Sequence, residues 1–105
     1  MAVLAIFKGQ GFTREMYEAL RNEVNWENDL PRGGLIHACG FDEAGDLHVA
    51  DVWESEEQMN AFVTSRLVPG FQKLGIPAPQ VSIFSAHNIN VYSDAQRFLL
   101  QPLTN

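Results

Sequence analysis

Apolar and polar positions along this chain switch between two periods, and the switches mark its elements. Ala2 to Lys8 is a nearly continuous apolar run, the pattern of a strand buried on both faces, and Gly9-Gln10-Gly11 ends it. The period then becomes helical. Met16, Tyr17, Leu20 and Val24 share one side, Glu15, Glu18, Arg21 and Glu23 fall mostly on the other, and Thr13 is placed to cap the start. Asn28 to Gly34 is dense in breakers and leads to two further apolar runs, Leu35 to Phe41 and Leu47 to Trp53. Between them lies Asp42-Glu43-Ala44-Gly45-Asp46, turn chemistry with Gly45 available for a positive φ, so a β-hairpin is predicted.

Ser55 is expected to cap the next helix, with Gln58 at the reciprocal capping-box position and Glu54, Glu56 and Glu57 near the positive end of the helix dipole. Met59, Phe62, Val63, Leu67, Phe71 and Leu74 keep a helical period that Pro69 interrupts. Proline has no N–H to donate and its ring crowds the carbonyl four residues back, which predicts a kink or a second short helix before Gly75. Ile76 to Pro79 reads as an extended connector, and Val81 to His87 as a fourth strand.

The order β, α, β, β, α, β predicts an α+β, ferredoxin-like fold: a four-stranded antiparallel sheet with both helices on one face. Residues 1–89 are expected to form this domain. Residues 90–105 form a tail whose Val91, Tyr92, Phe98, Leu99, Leu100 and Leu103 are too apolar to float free, so it is expected to dock on its own domain or on a partner. Strand two offers Leu35, His37, Cys39 and Phe41 to one face, Ile36 and Ala38 to the other, and strand four offers apolar residues to both. Two helices cover only one face. The other needs a second sheet, most simply from a second copy, which predicts a homodimer.

Composition narrows the function classes. At 105 residues the chain fits one domain. Thirteen acidic against seven basic residues give a net charge of −6, and the basic ones are scattered, so no nucleic acid partner is expected. The apolar start is too short for a signal peptide or a membrane span, and the single Cys39 provides no disulfide framework; a reducing, cytoplasmic setting with no membrane partner is expected.

Chemistry-bearing residues cluster around the hairpin. If Phe41 faces Leu47, antiparallel arithmetic pairs Cys39 with Val49 and His37 with Asp51 on one sheet face. The carboxylate would then fix the imidazole tautomer and raise its basicity, making His37 a general base or a hydrogen-bond donor to a developing oxyanion; the other reading is a satisfied polar pair that holds register or dimer geometry. His48 alternates to the opposite face beside Ala50 and Val52, either in a ligand pocket between sheet and helices or where a residue such as Phe62 packs. His87, followed by Asn88, closes the fourth strand near the rim, in a catalytic role or as a backbone cap. Tyr17 and Trp53 are candidate pocket walls or plain core. Cys39 reads as a small core residue, and the three histidines show no short-range ligand motif, so no metal is expected.

The wording at Gly34-Leu35-Ile36-His37, Asp51-Val52-Trp53-Glu54-Ser55-Glu56-Glu57, Arg66-Leu67-Val68-Pro69 and His87-Asn88 resembles the dimeric α+β barrel superfamily, particularly its antibiotic biosynthesis monooxygenase-like group, over about residues 2 to 88. The resemblance implies a homodimer of ferredoxin-like units. Haem-degrading members of the superfamily use a histidine on the second helix and an asparagine on the first strand; Ser55 to Leu74 contains no His and the first strand no Asn, so haem degradation is not expected. The monooxygenase members work without metal or flavin on an electron-rich aromatic substrate. On the enzyme reading His37 and Asp51 would be catalytic, His37 as the base that Asp51 orients, and Tyr17, His48, Trp53 and His87 would bind substrate, lining or closing the site; the resemblance implies that no cofactor is needed. The expected activity is cofactor-independent oxygenation, or proton transfer leading to cyclisation or isomerisation, on a small apolar or aromatic compound. The alternative is a non-catalytic dimeric ligand-binding or stress-associated protein.

Overall fold

The structure, a computed structural model, describes residues 1–101; Leu103, one of the apolar tail positions, lies outside them. Strand β1 (Val3–Gly9), helix α1 (Arg14–Val24), strands β2 (Gly34–Phe41) and β3 (Leu47–Trp53), helices α2 (Glu56–Phe62) and α3 (Val68–Leu74) and strand β4 (Gln80–Ser85) follow in order. The sheet is antiparallel throughout, with strand order β2-β3-β1-β4, and this is the ferredoxin-like α+β fold.

The local signals act as their chemistry dictates. Thr13 Oγ1 accepts from the Met16 amide and Ser55 Oγ from the Gln58 amide, so each side chain satisfies a first-turn N–H that has no partner within its helix. Gln58 returns its bond to the Ser55 hydroxyl, accepting at 3.1 Å. In the hairpin turn Gly45 has φ +86° and its amide donates to the Asp42 carbonyl at 2.9 Å. At Pro69 the helix does not simply kink. A π-helical turn spans Val63–Leu67, with the Val68 amide bonding to the Val63 carbonyl five residues back. The extra residue brings Phe62, Leu67 and Phe71 to one side of the helical run, towards the sheet.

The core lies between the sheet and the helices, built on Val3, Ala5, Leu47, Val49 and Trp53 from the strands and Tyr17, Leu20, Val24, Met59, Phe62 and Phe71 from the helices. The opposite sheet face is apolar and uncovered in the single chain. Leu4, Ile6, Ile36, Ala50 and Val52 are half-buried there, and Phe84 is 55% exposed. In the single chain β1 is therefore fully buried on its helix-covered face, with Leu4 and Ile6 half-buried on the other.

A β-bulge between Gly34 and Ile36 interrupts the β2–β3 ladder, and Leu35 lines the same cavity as His37. Two expectations are corrected. β4 ends at Ser85, leaving His87 beyond the strand. Arg21, read as solvent-facing, is 4% exposed. It lies on the buried stripe formed with Tyr17, Leu20 and Val24, where Glu18 and Glu27 neutralise it.

Candidate active site

The β2–β3 register pairs Phe41 with Leu47, Cys39 with Val49 and His37 with Asp51. Asp51 is nearly buried, and its two carboxylate oxygens have different partners: Oδ1 lies 2.7 Å from His37 Nδ1, and Oδ2 accepts from the Trp53 indole N–H at 3.3 Å. A carboxylate can only accept, so the geometry puts the imidazole proton on Nδ1 and leaves Nε2 as an acceptor. The Tyr17 hydroxyl reaches down from α1 and fills that position at 2.8 Å. Tyr17, His37, Asp51 and Trp53 thus form one hydrogen-bonded chain from helix to sheet.

Aromatic rings fix this chain in place. Tyr17 stacks on His37 with 4° between the planes, Trp26 tilts against both, and Trp53 packs against Phe62 at 5.4 Å. These groups border a cavity of about 690 Å³ between the sheet and the helices, within the size range of small-molecule sites. Phe7, Phe12, Leu67 and Phe71 supply further apolar wall. The tail closes part of the rim: Gln96, Leu99, Leu100 and Gln101 line it, and Arg21 Nη2 donates to the Gln101 carbonyl at 2.6 Å. A second depression, of about 490 Å³, lies against α3 and the connector at Gly75–Ala78, with no titratable group in its wall.

Four of the six residues singled out in the sequence, Tyr17, His37, Asp51 and Trp53, come together at the cavity. The other two do not. His48 lies on the sheet face that the helices leave open, hydrogen-bonded through Nε2 to Asp42 at 2.8 Å, while Phe62 packs on the other side. That bond holds the exposed Asp42 carboxyl below the usual carboxylate range. His87 is exposed beyond β4 and is not among the cavity residues. Two residues that the sequence reading passed over, Trp26 and Glu27, do line the cavity. Among the described residues, the Trp26 indole N–H is a buried side-chain donor with no partner, the kind of group that a ligand or water completes. An aromatic residue between the end of α1 and the breaker-rich stretch was the available signal. No group of three metal-ligating side chains occurs among the described residues.

Burial pushes the Cys39 thiol from its ordinary 9.0 up to about 11, and burial likewise raises the Tyr17 phenol, with Cys39 close enough to hydrogen-bond to it. Both groups are neutral at physiological pH. The folded chain holds these protons more tightly than the unfolded chain, so the associated stability is complete below pH 9 and is lost as pH rises through about 11. Thermal melts across this window are expected to show a falling midpoint, with a shallower fall in Cys39→Ala. An identical slope in that variant would remove Cys39 from the effect.

No protein-family model matches the sequence, and no curated protein matches it. Solved structures do. A candidate antibiotic biosynthesis monooxygenase from Chloroflexus aurantiacus superposes with a TM-score of 0.65 at 15% identity, covering 87% of this chain and 98% of that one. A conserved protein from Methanosarcina mazei gives 0.62 at 12% identity over 83% and 94%. SnoaB, a cofactor-independent oxygenase from Streptomyces nogalater, gives 0.57 at 12% identity over 84% and 93%. At these identities the likeness is one of fold. No helix among the described residues is long and apolar enough to cross a membrane. The chain has the ferredoxin-like fold of the antibiotic biosynthesis monooxygenase-like proteins.

Proposed function

We propose that this protein is a small-molecule enzyme of the antibiotic biosynthesis monooxygenase-like type, acting without a cofactor on a small apolar or aromatic compound by oxygenation or proton transfer. The observation that carries the reading is the His37–Asp51 pair, 2.7 Å apart, at the wall of an aromatic cavity of about 690 Å³. Asp51 orients the imidazole and stabilises the imidazolium, the arrangement that makes histidine an effective acid–base group. Both candidate chemistries begin alike. In a cofactor-independent oxygenation the substrate itself reduces dioxygen, which requires its electron-rich anion, and forming that anion means removing a proton. The flat aromatic walls suit a ring system, and the free Trp26 N–H suits an acceptor atom on it.

Anthrone and β-tetralone, enolisable aromatic ketones, are suitable probes. The protein is expected to accelerate dioxygen uptake with anthrone or deuterium exchange into β-tetralone above the buffer rate, and His37→Gln to lose most of that acceleration. A wild-type rate equal to buffer with both probes would overturn the reading and favour a binding protein.

The same reading includes a homodimer in a reducing cytoplasmic setting. The uncovered sheet face with Ile6, Val52 and Phe84, and the exposed Val91, Tyr92 and Phe98 of the tail, are the surfaces that a second copy would cover. Sedimentation equilibrium is expected to give twice the 11.8 kDa chain mass. A monomer at micromolar concentration would contradict it.

A further inference from the structure

The Tyr17 hydroxyl caps His37 Nε2 at the cavity wall, and we infer that its phenol is the group that exchanges a proton with the substrate, with His37 acting through it. Both imidazole nitrogens are occupied: Nδ1 by Asp51 at 2.7 Å and Nε2 by the Tyr17 hydroxyl at 2.8 Å. A substrate in the cavity therefore finds no free nitrogen on His37. It finds the Tyr17 oxygen, which gives its own proton to Nε2 and keeps lone-pair capacity for a further donor. The inference rests on the acid–base reading above and assigns which side chain touches the substrate.

The step balances. The substrate C–H bond alpha to a carbonyl breaks, and its electron pair becomes an enolate. The proton goes to Tyr17 Oη as the Tyr17 O–H proton passes to His37 Nε2, leaving an imidazolium paired with the Asp51 carboxylate. Reversal returns a proton to carbon, at the same or a conjugated position. Burial raises the phenol above its ordinary range, so a standing phenolate is disfavoured, and a relay in which Tyr17 gains one proton as it loses another keeps the ring neutral throughout. The His37 side chain is 38% exposed, which gives the imidazolium contact with solvent and lets the relay exchange with bulk water. The step takes a compound whose acidic C–H lies alpha to a carbonyl and beside a flat ring that the aromatic walls can stack against.

Deuterium exchange into β-tetralone, followed by proton NMR, separates the roles. Tyr17→Phe keeps the ring and its packing and removes only the hydroxyl. Its exchange kcat is expected to fall by about 10²-fold or more, with KM changing by less than about threefold. His37→Gln should fall comparably. Wild-type exchange in Tyr17→Phe with loss in His37→Gln would overturn the inference and leave the acid–base reading standing. Loss in Tyr17→Phe with full activity in His37→Gln would overturn the relay. A wild-type rate no better than buffer would remove both. Matching melting temperatures for the three proteins establish that the comparison is between folded chains.

Discussion

Asp51→Asn is expected to reverse the polarity of the hydrogen-bonded chain and to cut proton-transfer activity by a factor on the order of 10²–10⁴. The substitution is nearly isosteric, and an amide oxygen can still accept from Trp53 Nε1, which lies 3.3 Å from the carboxylate. The amide nitrogen then faces His37 Nδ1 as a donor. His37 must present a lone pair at Nδ1 and carry its proton on Nε2, where it donates to the Tyr17 oxygen instead of accepting from it. The imidazole is no longer basic towards Tyr17, and the imidazolium loses its counter-charge. Nitrogen NMR of labelled protein is expected to show His37 as the Nδ1–H tautomer in the wild type and as the Nε2–H tautomer in the variant. The same tautomer in both, with unchanged activity, would reduce the His37–Asp51 pair to a register device.

Arg21→Met is expected to cost about 2–3 kcal/mol of stability, towards the lower end for a broken buried ion pair, because its partners are only partly buried. The guanidinium is 4% exposed and bonds to Glu18 at 2.9 Å, to Glu27 at 2.7 Å and to the Gln101 carbonyl at 2.6 Å. Removing it leaves the Glu18 and Glu27 carboxylates without their shared counter-charge and releases the carbonyl of Gln101, the tail's last described residue, from α1. Methionine keeps most of the side-chain length, so lost packing does not dominate. Urea denaturation is expected to show a lower midpoint at unchanged slope. Limited proteolysis should cut the tail faster than in the wild type. An unchanged midpoint would mean that solvent replaces every bond that Arg21 makes.

What could be read ahead of the structure divides by physical scale. The hairpin was legible because Gly45 and the flanking aspartates pin the turn, and a pinned turn fixes register, so the His37–Asp51 pairing followed from counting. Caps at Thr13 and Ser55 and the interruption at Pro69 were legible for the same reason, each being set by chemistry within one turn of chain. Arg21 was not. A charge on an apolar stripe looks like a boundary of that stripe, and its burial depends on Glu27, which lies outside the helix. The face occupied by His48 could be counted from Asp51, but which face the helices cover is a property of the whole fold. Half of the site, Tyr17 and Trp26, reaches the hairpin from α1 and the loop after it, and no local pattern records that crossing.

The measurement that bears most directly on the site is a crystal structure of the protein with β-tetralone bound. The ligand is expected inside the aromatic cavity, its ring against Trp26 and its acidic carbon or carbonyl oxygen within hydrogen-bonding or near-attack range of Tyr17 Oη, about 2.6–3.5 Å, with the chain to His37 and Asp51 intact. A cavity filled by its own side chains, or a ligand seated only outside it, would contradict the assignment of this cavity as an active site.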